Sequence, residues 1–264
     1  MMEMDADPGI FGPDSTTWRV HGHLSALVGG LRALMLQTLH PLAMAGVAQH
    51  STYKQDPLGR FRRTARFVAD TTYGTTEQAE RAIARVRRIH ERIRGTTPDG
   101  RPYRADDPAL LSWVHNVEVE SILVAYRRMG PGLDQAEADR YVYEMTRVGA
   151  AVGANQLPET QAELQHWVAN VPERAVTKEA RDTVRWLVFP KLPTRLLAPY
   201  GIVAASAISL LSVRDRVALR LPSFPPAEPF LQPAAKLFVG AAHVALGPPP
   251  VRAKAMERCA PALQ

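Results

Sequence analysis

The chain has 264 residues, of which 46% are hydrophobic and 22% are charged, a composition typical of a globular protein and not of a disordered one. Its formal charge of +6 comes mostly from arginine and permits an acidic partner or a membrane surface without identifying either. Cys259 is the only cysteine, which excludes a disulfide framework, a Cys-rich zinc site and covalent c-type haem attachment within one chain.

Helical patterns follow one another along the chain, and no convincing run of alternating strand residues interrupts them. Asp14 or Ser15 is expected to cap a first helix over residues 18–28. Gly29 and Gly30 are then expected to break or kink it before residues 31–40. The later predicted helices cover residues 41–51, 57–74, 75–95 with Thr76 as cap and Gly95 as stop, 108–130, 134–153, 159–170 and 177–189.

The uncharged stretch at residues 196–213 just reaches the length of a membrane-spanning helix. Pro199, Gly201 and several serines lower its hydrophobicity, so we expect a buried or surface-docking helix, with a span or a peripheral membrane contact as alternatives. The first residues are acidic where a signal peptide is basic, which favours a cytoplasmic protein.

The character of the chain changes at Leu221. Residues 221–233 form a proline-rich link that should not continue a helix, and residues 234–246 suit a final helix. We therefore predict one all-α domain over residues 1–221, with residues 222–264 as a proline-rich link and a C-terminal helix or tail that packs on it.

Several common functional motifs are missing from the chain. It has no G-x-G-x-x-G motif, P-loop or G-x-S-x-G elbow, and Arg94 stands where the zinc motif that His90 would begin needs a second histidine. The arginines at 81, 85, 88 and 92 form a stripe without neighbouring aromatic residues, which indicates a solvated face and no nucleic-acid partner.

The predicted helix at residues 108–130 is apolar almost all round, as buried helices are, with a narrow polar wedge at Asn116, Glu120 and Arg127. His115 lies on its broad apolar face, and Glu118 projects roughly 60° away. The histidine is either a core residue bonded to a carbonyl, with Glu118 paired to an arginine, or a ligand of haem iron or of another metal site.

A second set of polar residues lies upstream: His40, His50, Arg60, Arg63 and Thr64. Arg60 and Thr64 are four residues apart and share a helix face, where they could orient oxygen or a haem propionate. The alternative is that Arg60 pairs with Asp56 or Asp70 and that Thr64 only packs.

Together the stretches GIFGPDSTTWRVHG, GGLRALMLQTLHPLAMAGVAQHSTY, DPLGRFRRT, GRPYRADDPALLSWVHNVEVE and AYRRMG resemble the MpaB-like oxygenase family, which includes the catalytic domain of rubber oxygenases. The resemblance implies an all-helical, globin-related core around a non-covalent haem b, and cleavage of carbon–carbon double bonds by dioxygen. It assigns the iron ligand to His115, in the WVH element, and distal positions to Arg60 and Thr64.

The chain departs from the family pattern at two places. Arg63 stands where some rubber oxygenases have a lysine that binds iron, and guanidinium is a poor iron ligand because it stays protonated. No acid in PLAMAGVAQH matches a proposed catalytic base, so His40 or His50 is the candidate replacement.

The leading hypothesis is a haem b-dependent oxygenase that uses dioxygen on a hydrophobic, isoprenoid-like alkene. His50, Arg60 and Thr64 are its predicted catalytic residues; His40, Arg60, Arg63 and His115 are predicted to bind the cofactor. The alternatives are a non-haem metal enzyme that uses His40, His50, His115 and Glu118, and a non-catalytic protein that binds haem or a lipophile. The sequence predicts no oligomeric state.

Overall fold

Helices form most of the chain, as predicted for an all-α protein. The computed structural model describes residues 7–51, 54–222 and 228–260, and within them the chain has thirteen helices and one two-stranded sheet. The helices are α1 (Thr16–His21), α2 (Ser25–Gln37), α3 (Pro41–His50), α4 (Pro57–Tyr73), α5 (Thr76–Arg92), α6 (Pro108–Met129), α7 (Gln135–Val152), α8 (Gln161–Asn170), α9 (Lys178–Val188), α10 (Thr194–Ser209), α11 (Val213–Ala218), α12 (Glu228–Leu246) and α13 (Pro250–Cys259).

The predicted break at Gly29 and Gly30 is wrong. Helix α2 continues through both glycines, and the chain turns between α1 and α2 instead, at residues 22–24. A β-carbon at Gly29 would come within 2.6 Å of the Ile122 Cα of α6. This glycine therefore allows two helix backbones to approach each other closely and does not end a helix.

Helix α6 is the central element of the fold. It packs against α2 over its length and also contacts α7, α8 and α12. Trp113, Val117 and Leu123 are among the largest fully buried side chains. The all-round apolar pattern thus correctly predicted a buried helix, and the elements around it position the polar residues that α6 carries.

Helices α4 and α5 form a hairpin, joined by Gly74 and Thr75. Thr75 caps α5 in a reciprocal capping box with Gln78, so the cap predicted at Thr76 is one residue late. Two helices joined by so short a turn are antiparallel neighbours, and they contact each other. The start of α4 therefore lies level with the end of α5.

A short antiparallel sheet follows α5, which the sequence pattern did not predict. Strand β1 (Arg94–Thr96) pairs with β2 (Pro102–Arg104), and Gly95 lies opposite Tyr103. The predicted helix end at Gly95 is therefore three residues late, because α5 ends at Arg92.

The C-terminal helices pack on the rest of the fold. Part of the predicted proline-rich link, residues 223–227, lies outside the described residues. Helix α12 begins at Glu228, earlier than predicted, contains Pro233, and contacts α6 and α10. Helix α13 contacts α4, and its residue Arg258 donates to the carbonyls of Asp7 (3.0 Å) and Tyr73 (2.9 Å). The division at residue 221 stays a prediction.

Helix α10 contains most of the uncharged stretch. Its second half buries Ala204, Ala207 and Ile208, and its first half exposes Leu196 and Leu197. Among the described residues, no helix has both the length and the apolarity needed to cross a bilayer.

Candidate functional site

His115 is buried between α6 and α7. Its Nε2 and Cδ2 atoms lie against Gly149, where a β-carbon would be 2.7 Å and 2.8 Å from them. Burial lowers the pKa of His115 to about 4, and a hydrogen bond to the Met145 carbonyl opposes that effect. The ring is therefore neutral at physiological pH, the state in which an imidazole nitrogen can bind a metal.

A half-buried histidine, His21, which the sequence analysis did not single out, lies near His115. The His21 Nδ1 atom is 2.9 Å from the Thr72 hydroxyl, and its Nε2 atom is 3.0 Å from the Tyr141 hydroxyl. Burial, together with the charge that His115 would carry, lowers the pKa of His21 to about 4. The two imidazoles therefore disfavour each other's protonation. His21 lies within GIFGPDSTTWRVHG, one of the stretches that resemble the family, but its partners on α4 and α7 become evident only in the fold.

Glu118 lies one turn after His115 on the same helix. Burial raises the pKa of its carboxyl to about 7, and the charge of this carboxylate helps to raise the pKa of Tyr141. No hydrogen bond or ion pair to Glu118 occurs within the described ranges. A half-buried carboxyl with this pKa can take up or release a proton near neutral pH.

The arginine partner expected for Glu118 belongs to Glu120 instead. Arg32 of α2 donates to both oxygens of Glu120, through Nη1 and, at 3.2 Å, through Nη2. The same guanidinium donates to the Ser121 hydroxyl (2.7 Å) and to the Leu210 carbonyl (3.0 Å). The predicted polar wedge of α6 is therefore buried at Glu120, as part of a network that joins α2, α6 and the end of α10.

Asn116 belongs to the same predicted wedge, and it is also buried. Its side-chain amide donates to the Gln156 carbonyl at 2.8 Å. This bond joins α6 to the segment after α7, so the residue has a structural partner.

The predicted distal residues lie around the junction of α3 and α4. Arg60 donates to the hydroxyl of Ser51, the residue that follows His50. His50 is exposed, and its ring centroid lies 6.3 Å from that of Tyr103. Thr64 and Arg63 are exposed, and Arg63 lies 3.4 Å from an Asp56 carboxylate oxygen. Helix α4 thus keeps a cation and a hydroxyl on one face, as its four-residue spacing predicted.

The two carboxylates that might have paired with Arg60 have other partners. Asp56 pairs with Arg63, and Asp70 lies 3.5 Å from Arg66. Among its contacts, Arg60 donates to the Ser51 hydroxyl, which joins the start of α4 to the end of α3.

His40 and His90 share an unusual feature, because each has a buried Nδ1 atom without a hydrogen-bond partner in the described residues. His40 lies beside Trp113, with ring centroids 5.9 Å apart, and burial lowers its pKa. His90 lies at the end of α5, level with Arg60 across the antiparallel hairpin, and burial lowers its pKa as well. Buried polar atoms are rarely left unpaired, so both nitrogens point to a ligand or water.

The predicted site residues therefore fall into two groups. His115, Glu118 and His21 lie deep between α1, α6 and α7, whereas His50, Arg60, Arg63 and Thr64 lie along α3 and α4. In residues 7–51, 54–222 and 228–260, no three His, Cys, Asp or Glu side chains are placed to hold a metal ion. His40, His50, His115 and Glu118 consequently do not form the non-haem site considered as an alternative.

Apolar side chains remain uncovered near the second group. Leu58 and Phe61 of α4 are 42% and 54% exposed, on either side of Arg60, and Ile89 beside His90 is 50% exposed. A haem needs apolar walls, cations for its two propionates and one imidazole for iron. The uncovered apolar residues and two arginines of α4 are suited to the first two needs, and neutral imidazoles occur separately at His40, His90 and His115.

Comparisons with known proteins gave one match. A family model described as "ER-bound oxygenase mpaB/B'/Rubber oxygenase, catalytic domain" matches residues 18–253. No curated protein and no solved structure matches the chain.

Proposed function

Because the chain belongs to the family of the mpaB and rubber oxygenase catalytic domains, we propose that it is a haem b-dependent oxygenase that acts on a hydrophobic alkene of the isoprenoid class. The family is one of oxygenases, so the protein is an oxidoreductase that uses dioxygen. The haem, the substrate class and the residue roles belong to the proposal. The observation that supports it most is that His115, in the middle of the central helix α6, is buried and neutral.

His115 is the proposed iron ligand. Its low pKa keeps the ring unprotonated, and a carbonyl partner such as that of Met145 fixes both tautomer and orientation in many metal-binding histidines. In the described geometry Nε2 faces Gly149 of α7. Iron binding through Nε2 therefore requires a change in the side-chain rotamer of His115.

His90 is the competing candidate. Its Nδ1 atom has no hydrogen-bond partner in the described residues and burial lowers its pKa, so it offers a neutral imidazole near the end of α5, a helix that contacts α4. The helix that carries it contacts α4 and α7, so a group bound there would lie between the two sets of site residues. The same argument from an unpartnered nitrogen applies to His40, whose ring centroid lies 5.9 Å from that of Trp113.

When bound, haem would supply the activation of dioxygen. The chain would contribute the surroundings. Arg60 and Arg63 would hold propionates, the Thr64 hydroxyl would be a hydrogen-bond donor for dioxygen, and the apolar residues of α4 would exclude water. Glu118 would accept or donate a proton near neutral pH. His40 or His50 would serve as the base that the family pattern otherwise takes from an acid.

The test is an absorption spectrum of the full chain, expressed with haem supply. We expect a Soret band that is lost in His115→Ala and retained in His90→Ala, with His166→Ala as control because His166 is exposed on α8. Loss of the band in His90→Ala alone would indicate that the iron ligand is His90 of α5. A wild-type protein that takes up no haem, even by reconstitution, would refute the haem proposal.

Catalysis requires a separate measurement. Oxygen consumption by the reduced haem protein with a short isoprenoid alkene should exceed that without the alkene. A protein with an intact haem spectrum that consumes no oxygen with any isoprenoid would instead be a non-catalytic haem or lipophile carrier.

A further inference from the structure

A cavity of about 420 Å³ lies between α1, α6, α12 and α13. None of the residues assigned above to haem or dioxygen lines it. Its polar lining, which we call the cationic pocket, consists of Arg19, His23, Tyr126, Lys236, His243 and Arg252. Its volume lies in the usual range for small-molecule sites.

The cationic pocket has excess positive charge. No Asp or Glu belongs to its lining, and only Arg19 has an acidic partner, with its Nη2 atom 2.6 Å from Glu137 of α7. Within the described ranges, Lys236 and Arg252 form no ion pair. Two cations that share a concave site without a carboxylate favour a bound anion.

Two histidine rings meet in the same pocket. The ring centroids of His23 and His243 are 4.3 Å apart. His23 Nδ1 accepts a hydrogen bond from the Ser25 backbone N–H at 3.1 Å, so the neutral ring carries its proton on Nε2. The Nε2–H group is then a donor that the chain leaves without a partner in the described residues.

The charge state of this pair depends on what fills the pocket. Burial and the neighbouring His243 lower the pKa of His23 to about 4, so the empty pocket holds a neutral ring. A doubly charged anion would offset the repulsion between His23 and His243 and would raise the pKa of His23. Binding should therefore be accompanied by proton uptake.

We propose that the cationic pocket binds a phosphate-bearing ligand, through a phosphate monoester or diphosphate group held by Lys236, Arg252 and the His23–His243 pair. The proposal does not depend on haem or on oxygenase activity. The same chemistry could come from a soluble phosphate ester or from a phospholipid headgroup. Val244 at the edge of the pocket is 83% exposed and could contact the apolar part of either ligand.

The first test measures pyrophosphate binding to the full chain by calorimetry. We expect saturable binding, weakened about tenfold or more by Lys236→Gln and by Arg252→Gln, since each removes a charge-assisted hydrogen bond. Arg88→Gln is the matched control, because Arg88 is exposed on α5 and far from the pocket in the hairpin. No saturable binding at millimolar pyrophosphate, or an equal loss in Arg88→Gln, would overturn the proposal.

A variant that keeps every charge provides an independent test. Gly240 lines the pocket, and a β-carbon there would meet no atom within 4 Å, so Gly240→Leu should fill the space without disturbing α12. We expect it to abolish pyrophosphate binding while the melting temperature stays at or above that of wild type. Unchanged affinity in this variant would show that the anion binds elsewhere.

The histidine pair has its own readout. Because pyrophosphate itself takes up a proton between pH 7 and 5.5, wild type is compared with His243→Asn at each pH. The ratio of wild-type to variant affinity should rise as the pH falls, and titrations in two buffers should detect more proton uptake in wild type. The other ionisable groups that face the pair are Arg19 from α1, Tyr126 from α6, Lys236 from α12 and Arg252 from α13. Glu137, which contacts Arg19, stays ionised because that contact lowers its pKa. A ratio of wild-type to His243→Asn affinity that does not change with pH would exclude a role for the pair.

Vesicles distinguish the two sources of phosphate. If the ligand is a lipid headgroup, vesicles that contain phosphatidic acid should bind wild type but not Lys236→Gln, pyrophosphate should compete, and phosphatidylcholine vesicles should not bind. Pyrophosphate binding without vesicle binding would identify a soluble ligand. Vesicle binding that neither pyrophosphate nor Lys236→Gln reduces would contradict the proposal.

Discussion

The imidazole of His115 lies so close to α7 that a β-carbon on Gly149 would come within 2.7 Å of its Nε2 atom. The same β-carbon would come within 2.5 Å of a Leu157 methyl group. Glycine at position 149 therefore provides the space in which the buried ring lies. The orientation of the histidine thus depends on a residue of another helix.

Gly149→Ala should displace His115 and Leu157. We expect a loss of about 1–3 kcal/mol in unfolding free energy, the usual cost of overpacking, together with a shifted haem spectrum if His115 binds iron. Gly30→Ala is the control, because a β-carbon on Gly30 meets no atom within 4 Å and alanine favours helix. Urea unfolding measures both variants, and equal stability of the two would contradict the close packing inferred for Gly149.

Glu118→Gln should change the pH dependence of stability. Because the folded pKa of Glu118 is about 7 and its ordinary value is 4.5, the folded state holds the proton more tightly, and stability falls as pH rises between those values. The amide cannot ionise, so the variant should gain stability relative to wild type as pH rises, by up to roughly 3 kcal/mol above pH 7. Thermal melts at pH 4.5 and pH 7.5 measure the difference, and a constant difference would show that this carboxyl titrates normally.

In the Glu118→Gln variant the titration of Glu118 no longer affects stability, so the contribution of the histidines can be measured. His21 and His115 have folded pKa values of about 4 against an ordinary 6.5, so the unfolded state binds their protons more readily. In this variant, unfolding free energy should decrease steadily as pH falls from 6.5 to 4. Adding His21→Asn should weaken this pH dependence of the unfolding free energy, measured by denaturant titrations at several pH values. An unchanged slope would indicate that His21 is protonated in the folded protein.

Arg32→Met should be among the most destabilising single substitutions in the chain. It leaves the buried Glu120 carboxylate without its cation, which typically costs about 3–5 kcal/mol. The double variant Arg32→Met/Glu120→Leu should recover much of that loss, since no charge is then left unpaired. Arg81→Ala, which breaks an exposed pair with Glu77, should cost less than about 1 kcal/mol. Chemical denaturation of the three variants measures these losses in unfolding free energy.

The sequence predicted elements whose signals are local, and it missed those that depend on a distant partner. The apolar pattern of residues 108–130 correctly predicted a buried α6. The break at Gly29 was wrong because a glycine that permits close packing against Ile122 has the same local signature as one that ends a helix.

The site shows the same limit. The four-residue spacing placed Arg60 and Thr64 on one face of α4. No local pattern shows which acid on α6 contacts Arg32, because the two residues are far apart in the chain. That acid is Glu120, two positions from Glu118 and on another side of the helix. His21 and the unpaired nitrogen of His90 were missed for a related reason, since their surroundings come from helices far away in the chain.

Arg258 joins α13 to the opposite end of the chain, through bonds to Asp7 and Tyr73, and Ala255 completes a small buried cluster with Trp18 and Tyr73. The Arg258–Asp7 bond spans 251 residues, so nearly the whole chain must leave the ribosome before it can form. Until then the indole of Trp18 lacks the cover that Ala255 provides, so this cluster forms late in folding.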